Sequence, residues 1–122
     1  MDLDCIIVGG GPAGLTAATY LRRLHRRVVV FDDRRSRARW IPESHNCPGF
    51  PLGVSGTELL QRLRDQAANY GATFHPTRVT SLHQVNGGWE AESDDGRFAA
   101  PVVLLATGVV DRLPDLTSGD AE

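Results

Sequence analysis

The residues of this 122-residue chain best placed to do chemistry are three glycines and one carboxylate. Gly9, Gly11 and Gly14 fill a G-x-G-x-x-G frame inside the stretch Cys5-Ile6-Ile7-Val8-Gly9-Gly10-Gly11-Pro12-Ala13-Gly14. In such a frame the first glycine permits a tight turn, the second leaves the backbone open to a pyrophosphate, and the third lets a helix lie close on a strand. Asp32 stands 18 residues past Gly14, close to the roughly 20 expected of a carboxylate that accepts ribose hydroxyls. The set reads as a dinucleotide turn. Taken alone, the glycine frame also fits an ordinary strand-turn-helix followed by a solvated acidic strand end.

No acid, base or nucleophile set accompanies it. His25, His45, His75 and His83 show no metal-ligand spacing and read as surface or loop residues, with His45 beside Asn46 the one that merits a test. Cys5 falls in an expected strand and Cys47 in a loop; they form no C-x-x-C pair and no metal cluster, and no structural disulfide is expected. All 13 basic residues are arginine, and eight of them lie between Arg22 and Arg39. That density suits a nucleic-acid patch, but Asp32 and Asp33 interrupt it, the net charge is −2 and few aromatics are present to stack bases. A solvated helix end and a loop beside a phosphate-rich ligand account for it better.

The elements that position these residues follow from periodicity. At 41% hydrophobic residues the chain reads as one globular unit with no membrane span. Met1 leads almost directly into the first strand, which leaves no room for a signal peptide and makes a cytoplasmic setting the default expectation. A strand over the Cys5 run precedes a helix from Pro12 to about His25, with Leu15, Ala18, Leu21 and Leu24 on one face, and a parallel strand Val28 to Phe31 completes a βαβ unit. Arg34 to Val54 is a long connection whose Pro, Gly and aromatic content favours a fixed binding loop.

Ser55-Gly56-Thr57-Glu58 forms a capping box, and Leu59, Leu60, Leu63, Ala67 and Tyr70 carry a scaffold helix to Gly71. Ala72 to His75 is a short strand. Val79 to Val85, Gly88 to Ser93 and Arg97 to Ala100 form an antiparallel meander turned at Asn86-Gly87 and Asp94-Asp95-Gly96, with Trp89 packing on it. Val102-Val103-Leu104-Leu105 is apolar throughout, as a central parallel strand is, and ends in the small-residue turn Ala106-Thr107-Gly108 where backbone can approach a ligand. Beyond Leu113-Pro114-Asp115 the sequence turns polar. The fold class is α/β: a Rossmann-like parallel sheet with helices on its faces and a three-stranded antiparallel meander.

GGGPAG, Asp32, the HNCPGFP loop, the SGTELL helix, the meander and LLATG, in that order, resemble the amino-terminal FAD-binding segment of thioredoxin-reductase-like FAD/NAD(P)-dependent pyridine nucleotide-disulfide oxidoreductases. The resemblance spans residues 1–122. It implies that Gly9, Gly11, Pro12, Ala13 and Gly14 hold the FAD pyrophosphate and Asp32 its adenosine ribose. It further implies Val79 near the adenine, Asn46 near the flavin, and Ala106, Thr107 and Gly108 against the cofactor. NAD(P)H would be bound by a longer chain, a disulfide protein or small disulfide would accept the electrons, and the complete protein would form a homodimer.

This sequence departs from the family pattern in two places. The usual glycine-rich turn after the second strand is Asp33-Arg34-Arg35-Ser36-Arg37, in which Arg37 is a candidate phosphate contact. Cys47 replaces an aromatic residue before Pro48-Gly49 and reads as a neutral exchange. The NAD(P)H domain and the closing FAD segment of the family are not in the sequence, so the chain is expected to be the first part of a longer flavoenzyme, inactive alone. A flavin-monooxygenase-type or NAD(P)-binding domain, or a non-catalytic nucleotide-binding fragment, is the alternative reading of the same glycine frame.

Overall fold

The computed structural model describes residues 2–109; the polar stretch around Leu113-Pro114-Asp115 lies outside them. In chain order the elements are β1 (Cys5–Val8), α1 (Pro12–Arg23), β2 (Val28–Phe31), α2 (Gly56–Asn69), β3 (Thr73–His75), β4 (Val79–Val85), β5 (Gly88–Ser93), β6 (Gly96–Ala100) and β7 (Val102–Leu105). A four-stranded parallel sheet has the order β3-β2-β1-β7, and β4-β5-β6 form a separate antiparallel meander.

The two-residue period of the strands sorts the core into two layers. Cys5, Ile7, Val28 and Val30 face Ala18 of α1 and Ala67 of α2, while Ile6, Val29 and Phe31 face Ala91 and Ala100 of the meander. Both helices therefore cover one face of the sheet and the meander covers the other. β1 and β2 are apolar throughout because they are buried on both faces.

Three expectations need correction. β7 is not central among the described residues: it pairs with β1 alone, and Leu105 keeps 64% of its surface exposed. An apolar run carries no information on how many neighbours flank a strand. α1 stops at Arg23 rather than His25, because His25 turns left-handed at φ 60°, and Leu24 is 66% exposed. The face of α2 is shallower than its leucines suggest, with Gly56 and Ala67 buried and Tyr70 exposed.

The 34–54 connection is ordered by a 3-10 turn over Arg37–Trp40 and an antiparallel bridge between Ser44 and Val54. No helix among the described residues is long and apolar enough to cross a membrane.

Candidate dinucleotide groove

A groove of about 630 Å³ opens where the carboxyl ends of β1, β2 and β7 meet the start of α1. Its floor is the glycine turn. Gly9 has φ 117°, a conformation few other residues adopt, and a β-carbon there would overlap the Ala106 carbonyl oxygen. Gly14 is buried beneath the turn and does not line the groove; its missing side chain lets α1 rest on the Gly9 carbonyl.

Gly11, Pro12 and Ala13 form the groove wall at the start of α1. Gly11 is the N-cap and offers no side-chain acceptor, Pro12 has no N–H, and the first turn contains no acidic residue. The positive end of the helix dipole and its first N–H groups are thus left for a ligand, and an anion suits them. A β-carbon on Gly11 would meet only the Ser36 side chain, its Oγ at 3.0 Å, so the space over this residue is bounded by one adjustable serine.

Asp32 ends β2 with 5% of its surface exposed. Its N–H donates to the His75 carbonyl (2.9 Å), which ties β2 to β3 just beyond the ladder. The Arg34 N–H donates to Oδ1 at 2.9 Å, and Arg64 Nη1 donates to Oδ2 at 2.7 Å. The carboxylate lies so close to Gly10 that any side chain at that position would displace it.

Two of these partners escape sequence reasoning. Gly10 sits at a variable position of the frame, and Arg64 is 32 residues away on a helix read as scaffold. Arg35, Arg37 and Arg78 add positive charge to the groove rim; the arginine-rich loop was the visible signal for the first two, and nothing marked Arg78.

Val79 lines the groove from the start of β4, and Ala106, Thr107 and Gly108 line it from the turn after β7. Ala106 continues the parallel ladder, its N–H donating to the Val8 carbonyl at 2.8 Å. Asn46 is not among the lining residues. It lies on the loop closed by the Ser44–Val54 bridge, where its Oδ1 accepts from the Ser44 hydroxyl at 2.7 Å.

The histidines lie elsewhere. His45 faces Glu43 at 3.8 Å, and His75 stacks on Phe31 while meeting Asp95 at 3.2 Å. His83 meets Glu90 and Glu92 through the β4–β5 register, a grouping invisible to linear spacing. Glu92 is also held by the Ser81 hydroxyl and Arg97, which keep its carboxyl below the usual range. Both cysteines are free: burial pushes the Cys5 thiol up, and Cys47 lies 3.8 Å from Ser44 Oγ.

Uncapped helix start, buried carboxylate and small-residue turn converge on one groove, and together they suit a diphosphate joined to a ribose. Residues 3–122 match the family described as pyridine nucleotide-disulphide oxidoreductase. The thioredoxin reductase of Treponema pallidum is 34% identical over 113 residues, covering 91% of this chain and 37% of that protein. The NADPH-dependent thioredoxin reductase 3 of Arabidopsis thaliana is 32% identical over 115 residues, 89% of this chain and 22% of that one. Among solved structures, a thioredoxin reductase from Gloeobacter violaceus superposes with a TM-score of 0.86 at 33% identity, over 93% of this chain and 39% of its own. The chain thus spans between about a fifth and two-fifths of the length of these relatives.

Proposed function

The chain belongs to the pyridine nucleotide-disulphide oxidoreductase family, and from that premise we propose that it forms the FAD-holding part of a thioredoxin-reductase-like enzyme. In this reading electrons pass from NAD(P)H through FAD to a disulfide, carried by a protein or a small molecule. The bound flavin supplies the hydride and electron chemistry, and the chain supplies its binding and orientation.

The uncapped start of α1, facing the groove beside Asp32, carries the proposal. The first-turn N–H groups around Ala13 donate to the diphosphate, with Arg37 on the rim adding charge. Asp32 accepts from the ribose hydroxyls, and Val79 packs against the adenine. Ala106, Thr107 and Gly108 bring backbone against the remainder of the cofactor. Asn46 is assigned to the flavin side by the resemblance alone. None of these residues is an acid or base for the electron transfer, so they position and do not react.

The purified chain mixed with FAD tests the proposal. A flavin absorbance spectrum should remain with the protein through gel filtration. NADPH added to that complex should be oxidised no faster than by free FAD, because the described residues form one glycine-rich groove and orienting two reactants can lower a barrier by about 7 to 11 kcal/mol. A colourless protein that binds NADPH instead would replace this reading with an NAD(P)-binding one.

A further inference from the structure

Asp32 separates two hollows. One is the groove; the other is a smaller cleft of about 240 Å³ between the glycine turn and α2, lined by Leu15, Arg34, Leu60 and Arg64 among others. Arg64 lines the cleft and not the groove. It therefore reaches the carboxylate from the side away from the space proposed for the ligand.

The contact is well built. Arg64 Nη1 lies 2.7 Å from Asp32 Oδ2, with the two side chains 18% and 7% exposed. The guanidinium carbon sits 4.1 Å from the centre of the Phe74 ring, which supports the group from β3. Burial pulls the guanidinium below its ordinary range, Arg34 adds to that pull, and Asp32 opposes it. On the other oxygen, Arg34 adopts φ 63°, uncommon for a non-glycine residue, and so brings its N–H onto Oδ1. Its own side chain is 62% exposed and stays 3.8 Å from Oδ2.

An ionised carboxylate has roughly four acceptor sites. Two are filled by Arg34 N–H and Arg64, which leaves two for a pair of neighbouring hydroxyls such as those of a ribose. The geometry points to Arg64 as the positioning residue that fixes the Asp32 carboxylate, from behind, in the orientation that receives the ribose diol. This inference rests on the dinucleotide reading above and extends it to a residue on the scaffold helix. Lysine would keep the charge but not the planar guanidinium that stacks on Phe74 while donating to Oδ2.

The test uses FAD, ADP and 2′,3′-dideoxy-ADP as probes on the parent chain, Arg64→Met, Arg64→Lys, Asp32→Asn and the Arg64→Met/Asp32→Asn pair, with folding checked by circular dichroism. Arg64→Met should weaken FAD and ADP by roughly 10- to 100-fold and leave dideoxy-ADP at its parental affinity. Arg64→Lys should fall between parent and Arg64→Met, and it carries the test if the methionine variant does not fold. On the Asp32→Asn background, Arg64→Met should cost nothing further. An equal loss for ADP and dideoxy-ADP, or the same loss on both backgrounds, would show that Arg64 only supports the fold and would overturn the inference. A parent chain that binds FAD and ADP while both Arg64 variants bind equally well overturns it too, with the groove reading intact. A parent chain that binds neither removes that reading and the inference together.

Discussion

At its start α2 is closed by its own side chains: Ser55 Oγ accepts from the Glu58 N–H at 3.2 Å, and Glu58 places an acid in the first turn. α1 begins with a glycine that has no side-chain acceptor and a proline that has no N–H, with no acid nearby. Both helices pack on the same face of the same sheet, and both press a glycine onto neighbouring backbone, Gly14 on the Gly9 carbonyl and Gly56 on the Ala38 carbonyl. What differs is only the end that faces the groove. Capping is worth about 1 kcal/mol, and a helix that forgoes it at a groove keeps its N–H groups for a ligand.

The buried glycines should not distinguish the two helices. Gly14→Val and Gly56→Val each force a side chain into backbone and should each cost about 3 kcal/mol or more, read as a collapse of the thermal transition. If either variant melts like the parent, the close approach described here is wrong.

Gly11→Val is where the helices should part. A β-carbon there meets only the Ser36 side chain, so stability should change by no more than about 1 kcal/mol while FAD binding disappears from a calorimetric titration. Retained binding would mean that the ligand does not approach α1 there.

Supplying α1 with the acid it lacks sharpens the contrast, because the two readouts should move in opposite directions. Ala13→Asp should stabilise the helix by about 0.5 kcal/mol through its dipole and weaken FAD by about tenfold or more through repulsion of the diphosphate. The converse change, Ser55→Ala on α2, should cost about 1 kcal/mol of stability and leave FAD affinity unchanged. An effect of Ser55→Ala on binding would show that the two helix starts are not separable.

The features legible in the sequence were local ones. The glycine frame, the Ser55 cap and the meander turns each depend on residues a few positions apart; Ser55 accepts from the Glu58 N–H as read, while the Glu58 carboxylate turns to Arg62 and Gly96, read as part of the second turn, pairs with Ser93 at the start of β6. Features set by pairing across the sheet were not legible. The position of β7 at the sheet edge, beside β1 among the described residues, depends on strand order, and the meeting of His83 with Glu90 and Glu92 depends on hairpin register. Arg64 had two constraints at once, helix spacing and a reach to Asp32, and only the first leaves a periodic trace. The close backbone approaches at Gly9 and Gly14 were legible because a backbone that must touch another has one residue type available, whereas Asn46, read from the resemblance, lies outside the groove lining.

If the bare start of α1 is a diphosphate site, displacement of FAD measures it most directly. With the chain partly saturated by FAD and flavin fluorescence followed, ADP should release the flavin, and adenosine at the same concentration should release far less, because most of the attraction lies at the N–H groups and the helix dipole. Equal displacement by adenosine and ADP, or no FAD bound for either to displace, would contradict the account.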